Sequence, residues 1–389
     1  SMKYYIIAGE ASGDLHGSNL MKGLYARDPE ADIRFWGGNL MNEVYKANQS
    51  GNGLVQDYRD GAVIGFVQVL FKARAYADRF KRCFADIMEW QPDAVILIDF
   101  PGFNFRVAEF AHRKGFKVFY YIAPKVWASR ESRVKKIKAY VDKLFIVFPF
   151  EIPYFTGKGV DFIYKGNPLL DAIDNSPLMH MDREEFLRAN SLGDRPSIAL
   201  LAGSRNGEIS TMMPTFAAFA DKLREIPQYA DYQFLIAAAP TRSEEDYREW
   251  TKGRESYMKV IFNQSYAVIR HSEAAVVNSG TASLETALIG TPQVVAYKGM
   301  RLNFAIAKQI IRINFISLGN LILGRTCFRE LIQDFFTADN VVNEVRRLIE
   351  DAEYRNAMLS GYKEIRNSLG GSGASEAVAD AMIAELRKD

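Results

Sequence analysis

Cysteine and histidine are scarce in this sequence. Two cysteines, Cys83 and Cys327, and four histidines are spread over 389 residues, without the short spacing of metal ligands. Two distant cysteines are typical of a reducing compartment and argue against a disulfide-stabilised fold. The sequence also contains no Asp-x-Asp pair. We therefore expect no metal ion held by such a pair, and no cofactor.

Long apolar runs and a strong net charge are absent as well. No run of about 18 apolar residues is present, so we expect no membrane-spanning helix. The first residues predict a strand rather than a signal peptide, which favours a cytoplasmic protein. The 49 basic and 47 acidic residues give a net charge of +2, so no global field for nucleic acid exists.

Strand and helix patterns alternate through both halves of the chain. Buried-type apolar runs predict strands at residues 3–8, 33–36, 93–99, 117–122, 143–148, 196–201, 233–237, 258–262, 274–277 and 293–297. Such alternation predicts parallel sheets, and the length fits two domains. We expect an α/β fold of two doubly wound Rossmann-like domains with a cleft between them, at residues 1–166 and 167–349. The helical patterns at about 350–389 would pack on the first domain or on a partner chain.

The most informative stretch follows the strand predicted at 274–277. It contains small residues and then a helical pattern: Asn278, Ser279, Gly280, Thr281, Ala282 and Ser283. Small side chains and the free N–H groups of a helix N-terminus form an anion site. Thr281 or Ser279 can cap this helix. Glu285, one turn further on, is either a ligand for a ribose diol or a solvated helix residue.

A second turn of this kind follows the strand predicted at 196–201. Gly203, Ser204 and Arg205 lie between that strand and the next helical pattern. A guanidinium group binds phosphate oxygens in a fork. The turn is therefore a candidate diphosphate clamp.

The first half has a glycine-rich turn after its first strand. Its glycines at positions 9, 13 and 17 do not match the G-x-G-x-x-G spacing, so a dehydrogenase loses its main support. We expect His16 on the surface of the following helix. Asp99 stands at the carboxyl end of another predicted strand, where doubly wound sheets bind ligands. It is either a general base or a cap for a helix that begins near Asn104.

Residues 61–82 combine an apolar segment with a basic cluster. Val63, Val67, Leu70 and Arg74 recur at helical spacing, and four further cationic residues lie at positions 72, 79, 81 and 82. Such a segment can lie on an anionic membrane surface or receive an acylated, phosphorylated ligand. The alternative is a core helix followed by a solvated one.

Six motifs together give the chain a strong resemblance to the lipid-A-disaccharide synthase family. They are AGEASGD at 8–14, IDFPGFN at 98–104, APKVWA at 123–128, GSR at 203–205, SGTASLE at 279–285 and SLGN at 317–320. Each motif is weak alone, but six in the same order cover nearly the whole chain. The resemblance implies an inverting glycosyltransferase of family 19 with the GT-B fold.

The resemblance also implies a reaction and its residues. UDP-2,3-diacylglucosamine would donate its sugar to 2,3-diacylglucosamine 1-phosphate, giving the β-1,6-linked disaccharide 1-phosphate and UDP. Asp99 is similar to the family's general base. The second domain would bind UDP through Gly203, Ser204, Arg205, Ser279, Gly280, Thr281, Ala282, Ser283, Glu285 and Asn320. The first would bind the acceptor near Glu10, Ser12, Gly13, Asp14, Lys125 and Trp127, and acyl chains or membrane near Val63, Ile64, Phe66, Val67, Leu70, Phe71 and Arg74.

On this basis we expect a lipid A and lipopolysaccharide biosynthesis enzyme. It would be peripheral on the cytoplasmic face of the inner membrane of a Gram-negative bacterium, would need no metal and could form a homodimer. Two alternatives fit the same architecture. One is an isomerase resembling UDP-N-acetylglucosamine 2-epimerase, and the other is a non-catalytic nucleotide-sugar sensor or membrane adaptor.

Overall fold

The chain forms two compact units. The computed structural model describes residues 1–61, 69–122, 132–299 and 315–388. Unit 1 comprises Ser1–Ala172 with Leu369–Asp389, and unit 2 comprises Ile173–Ser368. These limits differ from the expected boundaries at 166/167 and 349/350. The chain leaves unit 1 within a helix, Leu169–Asp174, and a long helix, Ala352–Ser368, belongs to unit 2.

Unit 1 alternates strands and helices from its first residues. Its strands are β1 (Lys3–Ala8), β2 (Asp32–Gly37), β3 (Leu54–Asp57), β4 (Ala94–Ile98), β5 (Lys117–Tyr121), β6 (Lys143–Ile146) and β7 (Phe162–Tyr164). Its helices are α1 (Ala11–Arg27), α2 (Asn39–Asn48), α3 (Val69–Trp90), α4 (Pro101–Arg113), α5 (Ser132–Tyr140) and α6 (Glu151–Gly157). The helix α7 (Leu169–Asp174) follows at its boundary.

The strands of unit 1 form a parallel sheet. Among the described residues the order is β3-β2-β1-β4-β5-β6-β7. The strand order reverses between β1 and β4, and this reversal is the switch point at which open α/β sheets bind ligands. Core residues such as Tyr5, Leu97 and Phe103 are almost completely buried around the sheet.

Unit 2 continues the alternation. Its strands are β8 (Ser197–Leu201), β9 (Gln233–Ala238), β10 (Met258–Phe262), β11 (Ala274–Asn278), β12 (Gln293–Tyr297) and β13 (Glu330–Ile332). Its helices are α8 (Arg183–Ala189), α9 (Asn206–Arg224), α10 (Arg248–Thr251), α11 (Ser265–Arg270), α12 (Thr281–Ile289), α13 (Leu318–Leu323), α14 (Ala338–Glu350) and α15 (Ala352–Ser368).

The strands of unit 2 also form a parallel sheet. The described strands run in the order β10-β9-β8-β11-β12-β13, with the switch point between β8 and β11. Residues such as Leu235, Ala275 and Val277 form its core. Two parallel, doubly wound sheets confirm the α/β fold class expected from the sequence.

The C-terminal helix α16 (Ala374–Arg387) belongs to unit 1. It packs on α1 so closely that a Cβ atom on Gly23 would lie 2.9 Å from Cβ of Ala379. Asp171 holds the start of α16, because its carboxylate accepts hydrogen bonds from the N–H groups of Gly373 (2.6 Å) and Ser375 (3.0 Å). The last helix therefore completes unit 1 although it follows unit 2 in the sequence.

Candidate active site

Asp99 lies directly beyond β4, at the switch point of unit 1. Its φ of 43° and the φ of 51° at Phe100 place two consecutive non-glycine residues in the left-handed region. Ile122, beyond the neighbouring strand β5, has a φ of 62°. Each such residue costs roughly 1–3 kcal/mol and persists only where its surroundings enforce it. Strain concentrated at one sheet edge indicates a functional site.

Neighbouring side chains hold the backbone of Asp99 in this conformation. Its carbonyl accepts hydrogen bonds from the Tyr120 hydroxyl (2.7 Å) and the Asn104 amide (2.9 Å), and its N–H donates to the Tyr121 carbonyl (3.1 Å). A typical hydrogen bond contributes a net of about 0.5–1.5 kcal/mol. Together these bonds are of the same order as the strain that they oppose.

Asp99 is not the N-cap residue of the helix that follows it. Helix α4 begins at Pro101, earlier than the expected start near Asn104, and Phe100 occupies the N-cap position. The Phe100 ring packs on the end of β1, where a Cβ atom on Gly9 would lie 2.4 Å from it. The glycine at position 9 therefore makes room for the residue that follows Asp99.

The loop after β1 separates the expected acceptor residues into two groups. Glu10 and Ser12 are exposed at the start of α1. Gly13 is buried, and a Cβ atom there would lie 3.0 Å from Cβ of Ala8. Asp14 is buried and accepts hydrogen bonds from three backbone N–H groups at the start of α2, those of residues 38, 40 and 41, at 2.8–3.1 Å. Burial raises the pKa of Asp14, although these bonds oppose the shift. Asp14 thus has a structural task, whereas Glu10 and Ser12 face solvent.

The expectation that His16 lies on a helix surface is wrong. Its side chain is buried, and its Nδ1 atom has no hydrogen-bond partner among the described residues. Burial lowers the pKa of His16 to about 4, with a small opposing effect from Asp171. The group that acts on His16 is Asp171 of α7, far along the chain, and nothing in the local sequence indicates it.

The first predicted donor turn connects β8 to α9. Gly203 has a φ of 99°, and a Cβ atom there would lie 2.7 Å from the Glu208 carboxyl group. Ser204 and Arg205 are exposed, and Arg205 is the N-cap residue of α9. Its N–H donates to Glu208 at 3.2 Å. The turn therefore needs glycine at 203 and presents the Arg205 side chain to solvent.

The second predicted donor turn meets the first at the switch point of unit 2. Asn278, the last residue of β11, donates its side-chain amide to the carbonyl of Ala202 (2.9 Å) and to Glu208 (3.3 Å). One amide thus ties together the ends of β8 and β11. The structure brings the two turns to one edge of one sheet, at the switch point where doubly wound sheets bind ligands.

The turn at 279–283 leaves its helix without a side-chain cap, so neither of the candidates Thr281 and Ser279 caps α12. Gly280 is the N-cap residue, with φ 153° and ψ −159°, a conformation that essentially only glycine adopts. Ser283 is buried and its hydroxyl donates to the Gly280 carbonyl at 2.8 Å. Thr281 is exposed and Ala282 is half-buried. The first N–H groups of α12 are thus the type of donor that binds anions.

Glu285 lies one turn into α12 and hydrogen-bonds with Tyr266 of α11. Burial raises the pKa of Glu285 to about 7, while the hydrogen bond from the Tyr266 hydroxyl lowers it. Glu285 is half-buried and hydrogen-bonded, rather than the solvated helix residue of the alternative interpretation. A carboxylate with two acceptor oxygens, one held by Tyr266, is suited to bind a ribose diol.

Asn320 is buried in α13, which packs against α12. Its amide donates to the Phe328 carbonyl (2.8 Å), and its Oδ1 atom accepts from the N–H of Cys327 (2.7 Å). The Asn320 side chain therefore braces the loop before β13 rather than facing solvent.

The predicted acyl patch is described only in part. Val63, Ile64, Phe66 and Val67 of that patch, and Lys125 and Trp127 of the acceptor loop, lie outside the described residues. Leu70 and Phe71 belong to the first turn of α3, and Arg74 is exposed. Residues 73–78 are exposed, although the Tyr76 ring contacts the rings of Phe80 and Phe103 edge to face. Within the ranges that the structure describes, no helix is long and apolar enough to cross a bilayer.

Sequence reasoning gave no individual role to four residues that this geometry brings out. Tyr120 and Tyr266 are tyrosines within regular elements, and only their long-range hydrogen bonds reveal them. Asn278 ends a strand, and its position before the small-residue turn was a usable signal. Arg242 follows β9 at the same sheet edge, hydrogen-bonds with Asn206 at the start of α9 and forms a pair with Asp246 at 3.8 Å. Among the described residues, no group of three or more His, Cys, Asp and Glu side chains is placed to hold a metal ion.

Comparison with known sequences gives one family. The model of the family described as lipid-A-disaccharide synthetase matches residues 4–381. A lipid-A-disaccharide synthase from Trichlorobacter lovleyi is 36% identical over 384 residues, which cover 98% of this chain and 97% of that protein. One from Geobacter sulfurreducens is 36% identical over 389 residues, covering 100% of this chain and 98% of that protein.

Solved structures of enzymes with other activities have a similar fold. The UDP-GlcNAc 2-epimerase from Neisseria meningitidis, solved with UDP-GlcNAc bound, has a TM-score of 0.69 at 13% identity, covering 98% of this chain and all of the epimerase chain. A sucrose-phosphate synthase from Thermosynechococcus elongatus has a TM-score of 0.56 at 14% identity, with both chains fully covered. At such identities the likeness shows a shared GT-B-type fold alone.

Proposed function

The chain belongs to the lipid-A-disaccharide synthetase family, and we propose that it joins UDP-2,3-diacylglucosamine to 2,3-diacylglucosamine 1-phosphate. The products are the β-1,6-linked disaccharide 1-phosphate and UDP. The observation that carries this proposal is the family match over residues 4–381. The enzyme is thus a hexosyltransferase, and the epimerase alternative has support only from proteins of about 13–16% identity.

Unit 2 binds the donor in this proposal. The diphosphate lies at the turns that contain Gly203–Arg205 and Ser279–Ser283, and the ribose binds Glu285. As the bond between the anomeric carbon and the diphosphate breaks, negative charge develops on UDP. In this proposal the exposed Arg205 guanidinium and the N–H groups of α12, which has no side-chain cap, stabilise this charge. No metal ion is required in this scheme.

Unit 1 supplies the base. An alcohol is a weak nucleophile at neutral pH, and a carboxylate within hydrogen-bond reach accelerates its attack by roughly 100- to 10,000-fold. Asp99 removes the proton of the acceptor 6-hydroxyl while that oxygen bonds to the anomeric carbon of an oxocarbenium-like sugar. Inversion follows because attack and departure take place on opposite faces. Glu10 and Ser12, exposed beside the end of β1, contact the acceptor.

The acylated substrates imply a membrane surface as partner. We place the acyl chains at the segment that includes Val63–Phe71, with Arg74 and the basic residues of α3 toward anionic headgroups. The enzyme would then be peripheral on the cytoplasmic face of the inner membrane, as a monomer or homodimer and without nucleic acid.

Product analysis with defined substrates tests the proposal. The protein, acylated UDP-glucosamine and acylated glucosamine 1-phosphate should yield a disaccharide by mass spectrometry, with one UDP released per disaccharide. UDP-GlcNAc alone should give no epimer. UDP release without acceptor, or epimer formation, would exclude the transferase assignment, and UDP binding without any turnover would favour a sensor.

A further inference from the structure

The backbone carbonyl of Asp99 accepts hydrogen bonds from two buried side chains. This carbonyl lies beyond the last ladder bond of β4 and receives two side-chain donors, the Tyr120 hydroxyl at 2.7 Å and the Asn104 amide at 2.9 Å. Tyr120 is completely buried, and so is Asn104. Neither side chain can exchange this partner for solvent water.

These contacts determine the direction of the carbonyl group. Asp99 and Phe100 adopt φ angles of 43° and 51°, which non-glycine residues avoid. A return of the Asp99 backbone to an ordinary conformation would turn its carbonyl away from both donors. Since the Asp99 side chain is fixed to the same Cα atom, its direction changes with the backbone.

The charge environment keeps the Tyr120 hydroxyl a donor. Burial, followed by the negative charge of Asp99, raises the pKa of Tyr120 well above its ordinary value, while Arg133 lowers it slightly. The phenol therefore stays protonated at any pH at which the enzyme works. Because Tyr120 is completely buried and its hydroxyl donates to the Asp99 carbonyl, we assign it no contact with substrate.

We propose that Tyr120 is a positioning residue that acts with Asn104 to hold the left-handed backbone of Asp99 and thereby aims its carboxylate. The inference rests on the proposed function, in which Asp99 is the general base. If Tyr120 only satisfied its own buried hydroxyl, its loss would lower stability and leave the chemistry unchanged. The two possibilities therefore differ in kcat.

The test compares two Tyr→Phe variants of the full chain. Tyr120→Phe fills the same space without the hydroxyl. Tyr45→Phe is the matched control, because the buried Tyr45 also donates to a carbonyl, that of Ser50 at 3.2 Å, elsewhere in unit 1. We expect Tyr120→Phe to lower kcat roughly 10- to 100-fold, the size of effect of a small misplacement of a catalytic group. Its KM, its UDP affinity and the kcat of the control should remain as in wild type.

A double-mutant cycle with Asp99→Asn tests whether Tyr120 affects kcat only through Asp99. If Tyr120 acts only through Asp99, adding Tyr120→Phe to Asp99→Asn should leave kcat unchanged, whereas independent effects would multiply. Multiplying effects, or a wild-type kcat in Tyr120→Phe, would overturn the inference. A wild-type kcat in Asp99→Asn would instead refute the proposed base, so the two failures are distinguishable. Asn104→Ala, which removes the other donor, should also lower kcat, and an unchanged kcat there would contradict the inference.

Discussion

The switch points of the two units share a scaffold and differ in the groups that they present. In each, an asparagine amide bonds the ends of the two central strands. Asn104 contacts the carbonyls of Ile7 (3.5 Å) and Ile98 (3.3 Å), and Asn278 contacts that of Ala202 (2.9 Å). Beyond this shared brace, unit 1 has Asp99 on a strained backbone. Unit 2 instead has positive-φ glycines, an arginine and an uncapped helix N-terminus.

The difference shows how one fold serves two chemical tasks. A proton acceptor needs one carboxylate held in a fixed direction, and the strained backbone of unit 1 achieves this. An anion site needs backbone N–H groups that a ligand can approach closely, and glycines supply this access in unit 2. The comparison predicts that mutations at the first edge impair turnover and that those at the second impair donor binding.

The largest expected effect is that of Asp99→Asn. We expect kcat to fall by roughly 100- to 10,000-fold, because the amide cannot accept the proton, while UDP affinity stays near wild type. Steady-state kinetics and calorimetric titration with UDP measure the two quantities. Asp93→Asn is the control, since Asp93 precedes the same strand at its opposite end, where its carboxylate accepts from the Lys3 N–H at 2.7 Å. If kcat fell equally in Asp99→Asn and Asp93→Asn, the effect would not be specific to the carboxyl end of β4, and Asp99 would lose its assignment as the base.

Arg205→Ala should have the next largest effect, and at the other edge. We expect a loss of about 3–4 kcal/mol in transition-state stabilisation and weaker UDP binding, because the guanidinium opposes the charge of the leaving diphosphate. Arg188→Ala, an exposed arginine of α8, is the control. Normal UDP affinity in Arg205→Ala would show that the diphosphate binds elsewhere. The assignment of donor binding to the switch point of unit 2 would then be wrong.

Long, buried elements were predictable from the sequence, whereas short and partly polar ones were not. The ten expected strands are present within two residues of their predicted ends, because runs such as that of β4 are apolar throughout. The structure adds β3, β7 and β13, which have only three or four residues each and lie partly exposed or at sheet edges. The helices α14 and α15 are separated at Asp351, whose side chain accepts the Tyr354 N–H at 3.1 Å.

Predictability at the two edges differed for a physical reason. Small residues after β8 and β11 indicate an anion turn locally, so unit 2 could be described from the sequence. The conformation of Asp99 depends on Tyr120, 21 residues away, and the environment of His16 includes Asp171, which lies in α7. Contacts of this kind have no local signal. The task of Asp14 at α2 was hidden for the same reason.

A smaller, pH-dependent effect should come from Glu285. Burial raises its pKa from 4.5 to about 7, so below pH 7 the carboxyl group is protonated and accepts fewer ribose hydrogen bonds. UDP affinity should rise with pH up to about 7, by at most about tenfold per pH unit, and then level off. Glu285→Gln should lack this contribution and serves as the control for titration of the UDP phosphates. An identical pH profile in Glu285→Gln would contradict the assignment.

The same group affects stability with the opposite trend. Between pH 4.5 and about 7 the folded protein retains a proton at Glu285 that the unfolded chain has released, so this residue's contribution to the free energy of unfolding falls as pH rises. Tyr266→Phe removes the hydrogen-bond donor that lowers the pKa of Glu285. The pH range over which stability falls should therefore extend above 7 in this variant. Tyr257→Phe, whose hydroxyl donates to Asp221 at 2.7 Å, is the matched control and should leave this pH range unchanged.

The smallest effect is expected from removal of divalent cations. If Arg205 and the N–H groups of α12 neutralise the leaving diphosphate, that edge already supplies the positive charge that an ion provides in other transferases. Activity and UDP affinity should then be unchanged after dialysis against EDTA, with added Mg²⁺ as the control. Activity that is lost in EDTA and restored by Mg²⁺ would show that the switch point of unit 2 needs an ion. Arg205 and the N–H groups of α12 would then not suffice to stabilise the leaving diphosphate.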